Sequence, residues 1–523
     1  MNATVAQAAS PWQSWDGRRL RWDAGALRGS ALVELCIDDI VFERFAAGSR
    51  GEADFAQSPS GCAEMEFSLR AADGGALGPP WRILHGRAAA AGVDAWTGPV
   101  RRMRLPPAAT REPDGPPAAA ASIVVPIYNS PQCVERCIAS VLRWTQGPAR
   151  LILIDDASDD PGVADVLARH ATRPGVVVHR NARNLGYTRS CNIGIELAGA
   201  DDVVLLNSDT EVGPRWLNAL RQVAYGDASV GTATAVSDNA GAFSVPEIEQ
   251  YCPIPARWNL VMAQRVLLQR AGGWWPELPT GNGFCMFVRR MLFERVGMLD
   301  ADAFPAGYGE ENDLCQRAER AGLRHVIAGN VLVRHVRSAS FGEARRLELG
   351  ARGMAVLRQR YPDYEAKVGA TLFGFARRAL DYRVRRLYAG RDGFHTARPP
   401  RPRLLLDEGK ASLAPELASR HECFALERSS SACALRSLES GEIVDEGPAE
   451  VATFRAWLVR HGFESAAAEL GGIFASMLQA ACGDVHLAFA DATGADAAEL
   501  AKRCRTAQAA VNSFGIDAAG DEP

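Results

Sequence analysis

Several short clusters in this chain carry side chains suited to binding and proton transfer. Asn207-Ser208-Asp209 follows the apolar run Val203-Val204-Leu205-Leu206, and Asp155-Asp156 follows Leu151-Ile152-Leu153-Ile154. Tyr128-Asn129 follows Ser122 to Pro126, and Asn181 to Asn184 follows Val176-Val177-Val178. A covered parallel strand is apolar on both faces, and ligands collect beyond its carboxyl end, so these four clusters are expected along one edge of a sheet. A fifth cluster, Glu310-Glu311-Asn312-Asp313, runs into Leu314-Cys315-Gln316. Acids at a helix N-terminus are favoured by its dipole, but three acids in four residues exceed what a cap requires. The chain has no GxGxxG after the first of these strands and no GxxxxGK[ST] anywhere. A diphosphate held here without a glycine cradle needs another positive charge, which a divalent cation on Asp209 would supply.

The segments that must position these residues follow a regular grammar. From Ala121 onward each apolar run empties into a polar loop and each loop starts a helical stretch, which predicts a doubly wound α/β sheet over 120–395. Before it, residues 1–105 alternate apolar and polar positions between turn signals, as in Leu32 to Ile37 and Glu64 to Leu69, and predict an all-β sandwich. A Pro/Ala-rich linker is expected at 106–119 and a second, Pro/Arg-rich one at 396–403. Residues 404–523 then read as a small α/β domain of unassigned role, with a strand at Leu404-Leu405-Leu406 and helices including Val451 to Val459 and Ala497 to Val511.

The totals narrow the function classes. The chain has 523 residues, 47% hydrophobic and 23% charged, in keeping with a folded multidomain protein. A net charge of −4 gives no general affinity for nucleic acid. Its 12 cysteines are scattered without zinc spacing, so they are expected to be reduced thiols. Met1 to Trp15 lacks the basic start and apolar core of a signal peptide, and no apolar run reaches 18 residues, so a cytoplasmic location is expected.

Taken together and in order, Val125-Pro126-Ile127-Tyr128-Asn129, Ile154-Asp155-Asp156-Ala157-Ser158-Asp159, Asn184-Leu185-Gly186 with Asn192-Ile193-Gly194, Asn207-Ser208-Asp209, Gly309 to Leu314 and His335 resemble the family 2 glycosyltransferases. The resemblance is nearest to bacterial enzymes that add rhamnose and related sugars to O-antigen and other surface polysaccharides. It implies a GT-A fold, a nucleotide-sugar donor such as dTDP-rhamnose or a UDP-sugar, a saccharide or lipid-linked glycan acceptor, inversion at the anomeric carbon, and Mg²⁺ or Mn²⁺.

The resemblance also assigns roles. Asp156, or its neighbour Asp155, corresponds to the acid that bonds the donor's base, with Pro126 and Tyr128 framing the pocket. Asn129, Asn184, Asn207 and Ser208 complete the donor side. Asp209 corresponds to the last acid of the DxD motif, with His335 as its partner on the metal. Asn207 replaces the first acid of that motif, so metal is expected to bind mainly together with the donor's diphosphate. Glu311 stands where the family's base aspartate is usual, Glu310 is its nearest competitor, and Asp313 is expected to orient the loop.

On the acceptor side, Trp274 or Trp275 in the Gly/Pro-rich loop before Phe284 is expected to stack on a sugar, near Gly283. The basic helical stretch around 373–388, where Phe373, Leu380, Val384 and Leu387 share a face, suggests peripheral contact with the inner face of the cytoplasmic membrane. A helix packed on the catalytic core accounts for the same pattern. Two other function classes remain at this stage. Nucleotidyl transfer lacks a basic glycine-rich loop after the first strand, and a non-catalytic saccharide-binding or scaffold protein is compatible with the motif departures.

Overall fold

The computed structural model describes eight strand segments between Trp12 and Met103, then residues 120–271, 275–336, 343–389, 401–428, 432–512 and Phe514. The linker expected at 106–119, residues 396–400 of the second linker, and Trp274 lie outside the described residues. The chain forms two compact units. One comprises Met1–Arg111 with Phe375–Arg383, and the other comprises Glu112–Gly374 with Val384–Pro523.

In the first unit, β1 (Trp12–Trp15), β2 (Arg19–Asp23), β3 (Ala31–Ile37), β4 (Ile40–Ala47), β5 (Arg50–Phe55), β6 (Glu64–Arg70), β7 (Trp81–Leu84) and β8 (Val100–Met103) form two four-stranded sheets. Their orders are β1-β2-β5-β8 and β4-β3-β6-β7. All pairs are antiparallel except β5 with β8.

The second unit begins with β9 (Ala121–Ile127), α1 (Pro131–Trp144), β10 (Ala149–Asp155), α2 (Pro161–His170), β11 (Val176–Arg180), α3 (Tyr187–Ala198) and β12 (Asp202–Leu206). It continues through β13 (Thr210–Glu211), α4 (Trp216–Tyr225), β14 (Val230–Ser237), α5 (Leu260–Arg270), β15 (Cys285–Val288), α6 (Arg290–Val296), α7 (Glu310–Arg320) and β16 (Arg324–His335). These strands make one mixed sheet in the order β11-β10-β9-β12-β15-β14-β16-β13, a GT-A-like α/β arrangement. The chain moves outward from β9 to β11, and α3 returns it to the other side of β9 as β12. The carboxyl ends of β9 and β12 therefore flank a topological switch point, where open α/β sheets bind ligands. Pro126 fits there because the β9–β12 register ends at Val124 and Leu205, so its missing N–H interrupts no bond to β12.

Strands β9 and β12 are buried along their whole length, which accounts for their unbroken apolar runs. The short strand expected at the end of β16 is the last part of a 12-residue strand. Its register with β14 passes from Ala235↔Ala328 to Val236↔Leu332, so residues 329–331 bulge.

Inside this domain His325 is 3% exposed. Its Nδ1 lies 2.8 Å from the Thr232 hydroxyl and its Nε2 2.9 Å from the Cys315 carbonyl. The carbonyl requires an N–H at Nε2, leaving Nδ1 to accept from Thr232, which is the neutral ring. Burial lowers its pKa to about 4, below the 6.5 of a free histidine. The unfolded chain therefore takes up the extra proton, and the stability from this site is complete above pH 6.5 and lost as pH falls toward 4. Urea unfolding is expected to show a loss on the order of 3 kcal/mol across that window. The loss should shrink in His325→Gln, and an unchanged pH slope in that variant would assign the titration to another group.

Three helices follow: α8 (Glu343–Arg360), α9 (Tyr364–Leu372) and α10 (Phe375–Ala389). The expectation of a free apolar face over 373–388 is corrected here. Leu380, Val384 and Leu387 are at most 1% exposed, and Arg377 is buried with Asp381 at 2.8 Å. Phe373 is 67% exposed but lies at the end of α9, outside α10. Among the described residues no helix is long and apolar enough to cross a membrane.

The C-terminal part holds β17 (Arg403–Asp407), α11 (Ala414–Leu417), β18 (Glu422–Arg428), β19 (Ala432–Ser437), β20 (Ile443–Pro448), α12 (Val451–Arg460), β21 (Phe463–Ala468), α13 (Ile473–Asp484), β22 (Ala488–Asp491) and α14 (Ala497–Val511). Its sheet order is β20-β19-β18-β17-β21-β22, parallel from β18 to β22 with an antiparallel edge. The second linker ends earlier than expected. Arg403 already belongs to β17, and Arg401 is anchored to the carbonyls of Ala418 and His421. The C-terminal sheet is joined to the preceding domain by polar contacts. Arg215, 4% exposed, donates to the carbonyls of Val485 (3.2 Å) and His486 (3.1 Å). Arg265 pairs with Glu464 at 2.7 Å, and Gln269 donates to the Arg401 carbonyl at 2.9 Å. The ten cysteines from Cys133 to Cys504 are free thiols.

Candidate active site

The loops beyond β9, β10 and β11 are tied to one another. Asn129, at φ 60, accepts the N–H groups of Asp159 (2.9 Å) and Asp160 (3.0 Å) on its side-chain oxygen, and the Tyr128 hydroxyl donates to Asp159 at 2.8 Å. Asp155 is 1% exposed and is occupied by Arg180 and by the Ser158 N–H. It is therefore closed to a ligand. Asp156, 4% exposed, accepts from Asn181 (2.8 Å), Leu185 N–H (2.7 Å) and Gly186 N–H (2.9 Å), three of a carboxylate's roughly four acceptor sites. Its main work here is to shape the loop of Asn184, whose own oxygen accepts from Gly186 at 3.1 Å. Gly186, at φ 88, is needed because a Cβ there would fall 2.4 Å from the Pro305 carbonyl.

The Asn207 to Asp209 turn leads into β13, which pairs with the end of β16 as Thr210↔His335. That ladder sets His335 Nε2 3.2 Å from Asp209 Oδ1, with both side chains mostly buried. His335 Nδ1 lies 3.0 Å from the Asn239 carbonyl and its ring stacks on Phe284 with centroids 5.5 Å apart. Only a protonated nitrogen bonds a carbonyl, so the neutral ring turns its Nε2 lone pair toward the carboxylate. A lone pair and a carboxylate oxygen facing each other hold either a proton or a cation, and the carbonyl behind the ring fixes the tautomer as in metal sites. The pair thus fits a divalent cation. Among the described residues no three His, Cys, Asp or Glu side chains gather to hold one. Two protein ligands suit Mg²⁺ or Mn²⁺ completed by phosphate and water. Asp238 beside them is 3% exposed, and burial raises its pKa while it accepts the His335 N–H at 2.9 Å.

The acidic cluster opens α7. Glu310 is 1% exposed, and burial with the adjacent charge of Glu311 raises its pKa well above the carboxylate range. It therefore keeps its proton and shares it with Glu311. Glu311 is half-buried and accepts the Gly283 N–H at 3.0 Å. Asp313 is 1% exposed and bound by Arg317, Arg360 and the Tyr361 hydroxyl, each at 2.8 Å, so it anchors the helix start rather than facing a ligand.

Tyr187 joins these parts and was passed over in the sequence. Its hydroxyl donates to Asn207 Oδ1 at 3.2 Å, and a Cβ on Gly283 would lie 2.6 Å from that hydroxyl and 3.3 Å from Glu311 Oε1. Asn207, Tyr187, Gly283 and Glu311 are thus contiguous, helped by the Asn207 N–H bond to the Phe284 carbonyl at 3.0 Å. The one available signal was an aromatic hydroxyl at the first turn of a helix after a polar loop. Ser208 is half-buried in the same turn. Trp275 is a correction. It packs against Gly226 at the end of α4, where a Cβ would meet its ring at 2.7 Å, and the neighbouring Pro276 carbonyl bonds Ile327. Tyr225 there bonds Asp202, the first residue of β12, so Trp275 lies at the sheet edge opposite Asn207 to Asp209.

Residues 122–297 match the family model described as Glycosyl transferase family 2. Among its relatives is the N-acetylglucosaminyl-diphospho-decaprenol L-rhamnosyltransferase of Mycobacterium tuberculosis (strain CDC 1551 / Oshkosh), 28% identical over 249 residues, 42% of this chain and 77% of that one. An uncharacterized protein of the same strain is 32% identical over 114 residues, 22% of this chain and 35% of its own, so the chain spans about a third of that relative. A solved Pyrobaculum calidifontis mannosyltransferase, in complex with GDP-Man and Mn²⁺, overlays with TM-score 0.36 and 18% identity, covering 58% of this chain and 81% of that one. An overlay that loose carries no weight for the site.

Proposed function

We propose that this chain is an inverting, metal-dependent glycosyltransferase that moves a hexosyl or deoxyhexosyl group from a nucleotide sugar to a saccharide or lipid-linked glycan in bacterial surface polysaccharide synthesis, on the cytoplasmic side of the membrane. The observation that carries it is the contiguous set at the switch point. The Asp209–His335 pair stands at one end, and the half-buried Glu311 is joined to it through Tyr187 and Asn207. Asp209 and His335 would hold Mg²⁺ or Mn²⁺, which when bound supplies the Lewis acid for the leaving diphosphate. Asp156, Pro126, Tyr128 and Asn129 frame the base side of the donor, and Asn184 and Ser208 lie along it. Glu311 takes the proton of the acceptor hydroxyl as that oxygen bonds the anomeric carbon and the carbon–phosphate oxygen bond breaks. The nucleoside diphosphate leaves with the electron pair, and attack opposite it inverts the centre.

The relative named as an L-rhamnosyltransferase supports dTDP-rhamnose as the first donor to try, with UDP-sugars next. Residues 120–395 would be the catalytic domain and the flanking domains accessory. A panel of nucleotide sugars incubated with Mn²⁺ or EDTA tests the reading. Metal-dependent release of one nucleoside diphosphate, with an inverted product by NMR, is the expected outcome. Glycan binding without any nucleotide affinity in calorimetry would instead make the chain a saccharide-binding scaffold.

A further inference from the structure

We propose that the C-terminal domain positions the Asp209–His335 pair, acting through helix α5 and its residue Gln264. This rests on the metal reading above, and it concerns how the pair is held rather than which groups bind.

Gln264 is fully buried and staples the two segments that carry the pair. Its amide nitrogen donates to the Pro214 carbonyl at 3.2 Å, on the chain leaving Asp209 and β13. The same nitrogen reaches the Asn330 carbonyl at 3.5 Å, while its oxygen accepts the Leu332 N–H at 2.6 Å. Asn330 belongs to the bulge of β16 and Leu332 is where pairing with β14 resumes. A bulge leaves backbone groups without ladder partners and re-aims the strand beyond it, here toward His335. Gln264 supplies those partners, so the direction in which β16 delivers His335 depends on where α5 lies.

The position of α5 is in turn set by the C-terminal domain. Arg265, next to Gln264, forms a two-point bond with Glu464 of β21 at 2.7 and 3.1 Å, with side chains 6% and 12% exposed. One turn on, Gln269 donates to the Arg401 carbonyl. Arg215, just past Pro214, is held by carbonyls of the C-terminal domain as well. Both ends of the staple are therefore referenced to that domain. A purely structural Gln264 would lower stability when lost without changing how the pair meets a cation.

Titrating full-length protein with Mn²⁺ in the presence of UDP or dTDP, with free Mn²⁺ followed by EPR, separates the two. Gln264→Leu is expected to weaken Mn²⁺ binding about tenfold, in the range seen when groups behind metal ligands are removed. The double variant Arg265→Leu/Glu464→Leu, which removes both members of that pair, is expected to weaken it severalfold in the same direction. Mn²⁺ affinity within twofold of wild type in both variants, whatever the fall in Tm, overturns the proposal. If Gln264→Leu does not fold, the double variant decides alone. Absence of Mn²⁺ binding by the wild type itself would mark failure of the metal reading. The positioning is then read from the His335 ring ¹⁵N signals, which should shift in the double variant and which overturn the proposal if they do not.

Discussion

Glu311→Gln is expected to lower kcat by about 10²–10⁴-fold while leaving donor binding close to wild type, because a general base contributes on that scale. The contrast with Glu310 gives the experiment its force. Glu310 is sealed in the protein and keeps its proton through burial and the neighbouring charge, so Gln in its place is close to the group already there. Glu310→Gln is expected to retain activity within about tenfold, since its amide can still donate to Glu311. Single-turnover kinetics with saturating donor measures both. If Glu310→Gln is the dead variant and Glu311→Gln the active one, the base is Glu310 and the proton assignment is reversed. Asp313→Asn should act differently again, lowering Tm by weakening its bonds to Arg317, Arg360 and Tyr361.

Asp209→Asn should remove the benefit of the metal, at a cost of about 10²–10³-fold in kcat, comparable to losing one preorganised group that stabilises developing charge. Its cleaner signature is at equilibrium. Wild-type protein should bind a nucleoside diphosphate more tightly with Mn²⁺ than without, and the variant should bind it equally in both conditions. Asn207 sharpens the expectation, because its side-chain oxygen already accepts from Tyr187 and the site carries one acid fewer. Metal should therefore bind weakly until a diphosphate adds its own oxygens, whereas Asn207→Asp should strengthen Mn²⁺ binding in nucleotide-free protein. Full activity in Asp209→Asn would sink the metal assignment.

What the sequence made legible follows from where the physics is local. The ends of β9, β10, β11 and β12 could be read because a strand covered on both faces must be apolar throughout, so its polar exit stands out. The length of β16 could not be read, since His325, Gly329 and Asn330 interrupt its first part and the bulge is held by a glutamine from a distant helix. Trp275 looked like a sugar platform because a Gly/Pro-rich loop does not show in sequence which edge of a sheet it borders. The burial of Arg377 in α10 was not legible because charge pattern alone does not reveal its pairing with Asp381. The difference between Glu310 and Glu311 is likewise one of burial, which adjacent identical side chains cannot express in sequence. Tyr187 was missed for the opposite reason. Its neighbours in the cluster come from three separate stretches of chain, and nothing local marks their meeting.

The contact of Arg215 with the C-terminal domain has a bearing on shortening the chain. Its guanidinium, whose pKa burial pulls down to about 10, bonds to the backbone carbonyls of Val485 and His486 and to Gln146, rather than to a carboxylate. Backbone acceptors do not depend on side-chain identity, so these two bonds should survive substitution at 485 and 486 but not removal of the segment. A protein truncated after the second linker would strip this cation of two acceptors and break the Arg265–Glu464 pair in one step. The boundary that looks like a linker in sequence is therefore a poor place to cut.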